Sequence, residues 1–317
     1  MRHLFLAWGA PILLLAQTTI PPLPYQVVPA WPRLPLHENF METAGVAVDG
    51  QNNVYVLHRG RNPIMQFNAD GQLIRAFGDG LFDRSHSIRI DSEGNIWTVD
   101  DGSHTVLKLN RHGRIQMVLG RWRSPSDAKS AMPDGSAGGP LRGLRDEGVV
   151  RFSRPTDVAF GPNGDIFVAD GYGNSRVVKF SKDGRFLKEW GKRGSAPGEF
   201  HTPHSIVADK QGRVYVADRE NYRIQVFDAE GKFLKEFRQG APWGLAITAD
   251  DHLFMADGYN NRIVKMTLDG KVVGAFGSHG KQPGQFHYCH QLAVTPEGAA
   301  VYTAEILNWR AQKFVLQ

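Results

Sequence analysis

One pattern recurs six times between Gly45 and Ile306, and no other feature of the chain limits its fold so strongly. The copies read GVAVDGQNNVYVLHRG from Gly45, SIRIDSEGNIWTVDDG from Ser87 and DVAFGPNGDIFVADGY from Asp157. Then follow SIVADKQGRVYVADRE from Ser205, GLAITADDHLFMADGY from Gly244 and QLAVTPEGAAVYTAEI from Gln291. Each joins a short alternating apolar run, through a polar turn, to a run rich in Val, Ile and aromatics, the pattern of strand, turn, strand. A third run follows in most copies, such as Arg176–Phe180 and Arg223–Phe227, and a fourth comes after another Gly turn, as in Arg185–Trp190 and Lys232–Phe237. Four short antiparallel strands recurring about every 40 to 50 residues are blades of an all-β, six-bladed β-propeller.

On length alone, 317 residues suggest about two domains at ~150 residues each. The repeat overrides that expectation, because a blade cannot bury both of its faces by itself. Residues 21–317 are therefore expected to close into one ring. The sixth copy ends at Arg310–Gln317 with only three strands, so its outer strand is expected from the N-terminal stretch Tyr25–Val28, which would remove an open sheet edge. Periodicity breaks once, at about residues 121–149, where a Gly-, Pro- and Ser-rich insertion loop leaves one blade and enters the next, bordering a channel mouth.

At the N-terminus, Arg2 and His3 precede an apolar stretch, Leu4–Ala16, followed by Gln17, Thr18 and Thr19. This is the pattern of a secretory signal peptide over about residues 1–20, and it implies a secreted or periplasmic protein. No other stretch is apolar enough to span a membrane, so no stable span is expected after signal cleavage. The single cysteine, Cys289, excludes an internal disulfide. The formal net charge is +5, but the basic residues are interspersed with acidic ones, as in residues 182–192, so no nucleic-acid partner is expected.

The residue just before the repeat motif is Ala44, His86, Thr156, His204, Trp243 and His290 in the six copies. The first strand of a blade is innermost and lines the central channel. Alternate blades of a six-membered ring are related by about a third of a turn, so copies two, four and six aim three imidazoles at one point on the axis. Three neutral imidazoles with a fourth position open are the ligand set of catalytic zinc. Of the remaining histidines, only His287 is close enough in sequence for a supporting role. Arg59 and Arg219 share a repeat position near the channel, where copies three and five carry Gly171 and Gly258. A DGY triplet occurs twice, at Asp170–Tyr172 and Asp257–Tyr259, and the pattern alone does not choose between Tyr172 and Tyr259.

Further stretches carry a family resemblance: LHRG (Leu57–Gly60), PTDVAF (Pro155–Phe160), DGYGNSRVVKF (Asp170–Phe180), TPHSI (Thr202–Ile206) and VADRENYRIQ (Val216–Gln225). Over about residues 40–317 the chain resembles NHL-repeat propellers and, within them, peptidyl-α-hydroxyglycine α-amidating lyase, the lyase domain of peptidylglycine α-amidating enzymes. The D-x-x-N-x-R elements are generic to NHL repeats; the HRG, DGYGNSR, PHS and ADREN segments are the specific part. The resemblance implies zinc on His86, His204 and His290, a catalytic Tyr172 and functional Arg59 and Arg219. It implies a carbon–nitrogen lyase of peptide amidation, which splits a small peptidyl-α-hydroxyglycine into a peptide amide and glyoxylate. A separate monooxygenase would supply the hydroxylated intermediate. The residue types suit that chemistry: zinc polarises the substrate oxygen, a tyrosine depressed by metal and arginine charge serves as base, and a guanidinium holds a carboxylate by paired hydrogen bonds.

The chain also departs from the family. The resemblance implies a structural calcium on the carbonyls of Val46 and Ile88 and on an aspartate, but Gln291, a neutral and weaker cation ligand, stands in the aspartate's place. Tyr288 replaces a methionine beside the third histidine, and the family's paired cysteines are absent. The substrate is therefore open to another carbinolamide. Two alternatives stand beside the zinc lyase. One is a metal-independent propeller lyase, resembling streptogramin lyases, with a channel histidine as base. The other is a non-enzymatic NHL-repeat binding module that uses one face of the ring.

Overall fold

The six copies become six four-stranded antiparallel sheets in a computed structural model that describes residues 20–126 and 150–317. The expected signal peptide at residues 1–20 lies outside the described residues except for Ile20, and the insertion at 121–149 lies outside them from residue 127 onward. Five blades are consecutive in sequence and occupy residues 43–77, 85–120, 157–190, 203–237 and 242–276. In each, the strand order in space is the order in sequence.

Burial grades outward along every blade. The second strands are buried almost throughout, and Val54–His58, Ile166–Asp170 and Val214–Asp218 at every residue, because neighbouring blades cover both faces. That is why they read as near-continuous apolar runs. The outermost strands, such as Phe186–Trp190, are largely exposed and mix apolar with charged residues. Tight turns join first to second strands; Gly164 and Gly212 take φ of +87° and +79° there, a conformation that only glycine adopts freely.

In blades three to six the generic D-x-x-N-x-R element acts as a clasp. A buried acid ending the second strand (Asp170, Asp218, Asp257 or Glu305) pairs with the arginine that opens the third. The same acid accepts from an asparagine of the connecting turn. It also accepts a backbone N–H from the segment that enters the blade: Ser153, His201, Ala241 or His287. A buried carboxylate needs such a full set of partners. The motif thus fixes where the chain enters each inner strand.

Six apolar clusters fill the six blade junctions. The junction of the sixth and first blades joins Ala293 and Tyr302 to Val46 and Met65, and it also buries Trp31 and Phe40 from the N-terminal segment. The sixth blade takes its fourth strand from the N-terminus, as expected: Tyr25–Val27 pairs antiparallel with Arg310–Leu316, in the register Tyr25↔Leu316 to Val27↔Phe314. The strand stops one residue short of the expected Val28, whose N–H still donates to the carbonyl of Lys313 at 2.8 Å. The Tyr25 hydroxyl donates to the carbonyl of Gly298 at 2.5 Å. Among the described residues no helix is long and apolar enough to cross a membrane.

Deleting residues 21–36 removes the closing strand and two buried aromatics, Tyr25 and Trp31, each worth about 3 kcal/mol or more when truncated. The deletion should lower the calorimetric melting temperature of the whole ring by more than about 10 °C. An unchanged melting temperature would show that the ring closes without this strand.

Candidate metal centre

The repeat position of the histidines is a backbone irregularity. Strand pairing skips one residue in five of the inner strands: between Thr43 and Gly45, Ser85 and Ser87, Pro203 and Ser205, Pro242 and Gly244, and Cys289 and Gln291. The skipped residues are Ala44, His86, His204, Trp243 and His290. A bulge of this kind re-aims a side chain that regular pairing would direct against the neighbouring blade. In the third blade Thr156 stands just ahead of the inner strand, with its N–H donating to the carbonyl of Ala169 at 2.8 Å.

The three imidazoles meet on the axis with ring centroids 4.7 to 4.9 Å apart, and one ligand atom from each lies within 4.8 Å of the others. Each Nδ1 lies against a backbone carbonyl of the following blade: His86 on Thr156 at 2.6 Å, His204 on Trp243 at 2.7 Å and His290 on Ala44 at 2.6 Å. A carbonyl only accepts, so each Nδ1 carries the proton and each Nε2 presents a lone pair. The equivalent positions of alternate blades therefore divide the work, one giving the imidazole and the next giving the carbonyl that orients it. Burial holds all three histidines well below the ordinary imidazole pKa. The guanidiniums of Arg59 and Arg219 add to the lowering at His86 and His290, and that of Arg219 at His204. They are neutral near pH 7.

Tyr172 reaches this point from the end of the third blade's second strand. Its hydroxyl lies 3.0 Å from Nε2 of His86 and 3.0 Å from Nε2 of His204. One phenolic proton cannot serve two lone pairs, so the cluster is an excess of donors of electron density and fits a cation. Zinc takes imidazole nitrogens at about 2.0–2.1 Å in tetrahedral geometry, which a modest contraction of this spacing would provide. Burial pushes the Tyr172 phenol above its usual pKa, with the Arg219 guanidinium opposing that rise.

Arg59 and Arg219 both sit at the centre with side chains about nine-tenths buried. Arg59 donates from Nε to the carbonyl of Ser85 at 3.1 Å and pairs with Glu42 at 3.1 Å. Arg219 pairs with Glu220 at 2.8 Å and lies over the rings of Trp243 and Tyr172, at 4.6 and 5.6 Å. At the same repeat position Gly171 and Gly258 admit no side chain: an added Cβ would fall 2.0 Å from the carbonyl oxygen of Pro203 and 2.5 Å from the Trp243 ring. Tyr259, the other DGY tyrosine, lies apart from the histidines, half exposed, with its hydroxyl donating to Glu220 at 3.2 Å. His287 stacks on Tyr288 and has no contact with the three histidines.

The residues at the expected calcium position do not fit that ion. The Gln291 side-chain oxygen accepts from the N–H groups of Val46 at 3.1 Å and Ile88 at 3.4 Å, so no carboxylate is present and the amide is already engaged with donors. A fixed cation lies in the same channel instead: Arg89 is paired with the buried Asp157 and donates to the Ser205 hydroxyl and the Leu245 carbonyl, both at 3.1 Å. Sequence reasoning missed Trp243 and the orienting carbonyls. Trp243 packs against both His204 and His290, with Tyr288 stacked on it at 5.4 Å. Its signal was its place in the alternating series of repeat positions, where only the histidines draw the eye.

Comparison with known proteins gives a consistent picture. A family model described as a 6-bladed beta-propeller matches residues 152–241. The chain is 33% identical over 313 residues to human NHL repeat-containing protein 3, covering 92% of this chain and 84% of that protein. It is 30% identical over 215 residues to the Drosophila melanogaster protein named peptidyl-alpha-hydroxyglycine alpha-amidating lyase 1, covering 60% of this chain and 39% of that protein. The chain thus spans well under half the length of this amidating relative. A solved streptogramin B lyase structure superposes with a TM-score of 0.60 at 17% identity, over 89% of this chain and 96% of that one, a likeness of fold alone.

The neutral histidines set a pH dependence. They are unprotonated in the fold, whereas the unfolded chain binds protons on them below about pH 6.5. The unfolded state therefore gains protons as pH falls, and stability is present above that value and lost beneath it, by up to roughly 4 kcal/mol per pH unit for three groups. Urea unfolding of the chelator-treated protein between pH 7.5 and 5 should show this loss, and a His86→Gln, His204→Gln, His290→Gln variant should lose markedly less. Parallel curves for the two proteins would contradict the neutral cluster.

Proposed function

This chain belongs to the family of six-bladed propellers built from NHL repeats, and from that premise we propose that its axial centre is a zinc-dependent carbon–nitrogen lyase acting on a peptidyl-α-hydroxyglycine or related carbinolamide. The observation that carries this reading is the hydroxyl of Tyr172 held 3.0 Å from two of three converging imidazole lone pairs. Two mostly buried arginines flank the same point. Relatives named as amidating lyases support it at 30% identity.

Zinc bound by His86, His204 and His290 would supply Lewis acidity toward the substrate oxygen. The chain's own residues supply the rest. Arg59 and Arg219, preset by their pairing with Glu42, Ser85 and Glu220, present guanidinium N–H groups to the substrate carboxylate. Tyr172 takes the proton of the carbinol hydroxyl. The C–O bond becomes the aldehyde carbonyl of glyoxylate, the C–N bond breaks, and the proton passes to the departing amide nitrogen. Burial alone works against a phenolate, so the nearby positive charge must offset it, and Arg219 is placed to contribute. Export of the protein and supply of the hydroxylated substrate by a separate monooxygenase belong to the same reading.

Incubation with a peptidyl-α-hydroxyglycine should release glyoxylate. Tyr172→Phe should reduce kcat by about a hundredfold or more, and Arg219→Ala should raise KM by roughly tenfold, both with zinc content unchanged. Absence of glyoxylate release by the zinc-loaded protein would refute the lyase reading, and unchanged kinetics in both variants would refute the assigned roles.

A further inference from the structure

A second pair of arginines stands at the mouth of the centre. Arg84 precedes His86 by two residues, and Arg154 lies across from it with its guanidinium 4.9 Å from the centre of the Tyr172 ring. Both reach the same oxygen of one buried carboxylate, Oδ2 of Asp101, at 2.6 and 3.1 Å. The other oxygen, Oδ1, is buried without a hydrogen-bond partner. An arrangement meant only to neutralise Asp101 would use one guanidinium across both oxygens. Here two like charges crowd onto one oxygen, and each side chain remains almost half exposed, at 45% and 46%.

The backbones of both arginines are held from both sides. The Arg84 N–H donates to Asp100 at 2.8 Å, and its carbonyl accepts from the Asp101 N–H at 3.2 Å. The Arg154 N–H donates to Nδ1 of His104 at 3.0 Å, and its carbonyl accepts from the Tyr172 N–H at 3.2 Å. Arg154 does this at a φ of +57°, a left-handed conformation shared by Thr202 and Tyr288 at the same position in blades four and six, so the repeat itself fixes the backbone there. Both guanidiniums converge on Asp101, because the neighbouring Asp100 carboxylate is taken up by the backbone N–H groups of Asp83, Arg84, Gly102 and Ser103, and the half-exposed ends of the two arginines remain as paired donors near Tyr172.

We propose that Arg84 and Arg154 form an anion subsite on Asp101, and that the substrate carries a second carboxylate, on the acyl side of the scissile bond, which they bind. This names a substrate class, acidic N-acyl-hydroxyglycines, and rests on the lyase reading for the other end of the molecule. Two stable probes that lack the reactive hydroxyl test it: N-succinylglycine, a dianion, and N-succinamoylglycine, a monoanion that keeps the glycine carboxylate and has an uncharged amide at the far end. Binding to the purified full chain is measured by calorimetry. The dianion should bind about tenfold or more tightly than the monoanionic amide. That preference should fall several-fold in Arg84→Gln and in Arg154→Gln, each of which leaves one guanidinium on Asp101, and should vanish in the double variant. No preference in the parent protein, or one that survives in both single variants, would overturn the proposal. The preference with its expected losses, but no glyoxylate from any hydroxyglycyl substrate, would uphold the anion subsite and reject the lyase reading instead.

Discussion

An imidazole N–H given to a backbone carbonyl of the next blade is the interaction on which the centre depends. It occurs three times, from His86 to Thr156, His204 to Trp243 and His290 to Ala44. Such a bond contributes about 1 kcal/mol net, but turning a ring away would leave a buried N–H and a buried carbonyl unpaired, which costs more. The rings are therefore held in one orientation and one tautomer. The third bond joins residues 246 apart in sequence and exists only when the sixth blade meets the first. Assembly of the histidine cluster thus depends on the first and last blades coming together.

That orientation leaves three lone pairs converging, two of them on a single phenolic proton. This mismatch, as well as the histidines' identity, makes the cluster one that could hold a metal ion. Next to the cluster, side chains of the inner strands tie the blades to one another. Gln291 bridges the backbone of the first two blades, and Arg89 ties the second blade to the third, fourth and fifth through Asp157, Ser205 and Leu245. Arginines and aromatic residues are stacked together around Tyr172, with Arg219 over its ring and that of Trp243 and Arg154 over the Tyr172 ring. The propeller supplies rigid, equivalent positions, and the chemistry comes from what alternate positions carry.

The ring and the ligand trio were legible in the sequence because both are periodic. Two-residue alternation wrote the strands, and the repeat placed His86, His204 and His290 in register. Even the missing outer strand was legible, since a three-stranded final blade leaves an edge to be filled. What the sequence did not show lies in the backbone. The bulges that turn the histidines inward, and the carbonyls of Thr156, Trp243 and Ala44, have no side-chain signature. The triplet alone did not choose between Tyr172 and Tyr259; the resemblance favoured Tyr172, and Tyr172 is the one whose hydroxyl lies 3.0 Å from two of the histidines. Nearness in sequence misled for His287, which stacks on Tyr288 instead of supporting His290. Arg84 and Arg154 escaped notice because they converge from different blades on a carboxylate that no motif marks.

The claim that binds these observations is that three Nε2 atoms hold one metal ion on the propeller axis. X-ray absorption at the zinc edge, on protein loaded with one equivalent of zinc, tests it most directly. Three nitrogen scatterers at about 2.0–2.1 Å with imidazole outer-shell features, and one oxygen ligand, are predicted. A first shell dominated by oxygen at longer distances, unchanged when His204 is replaced by Ala, would contradict it.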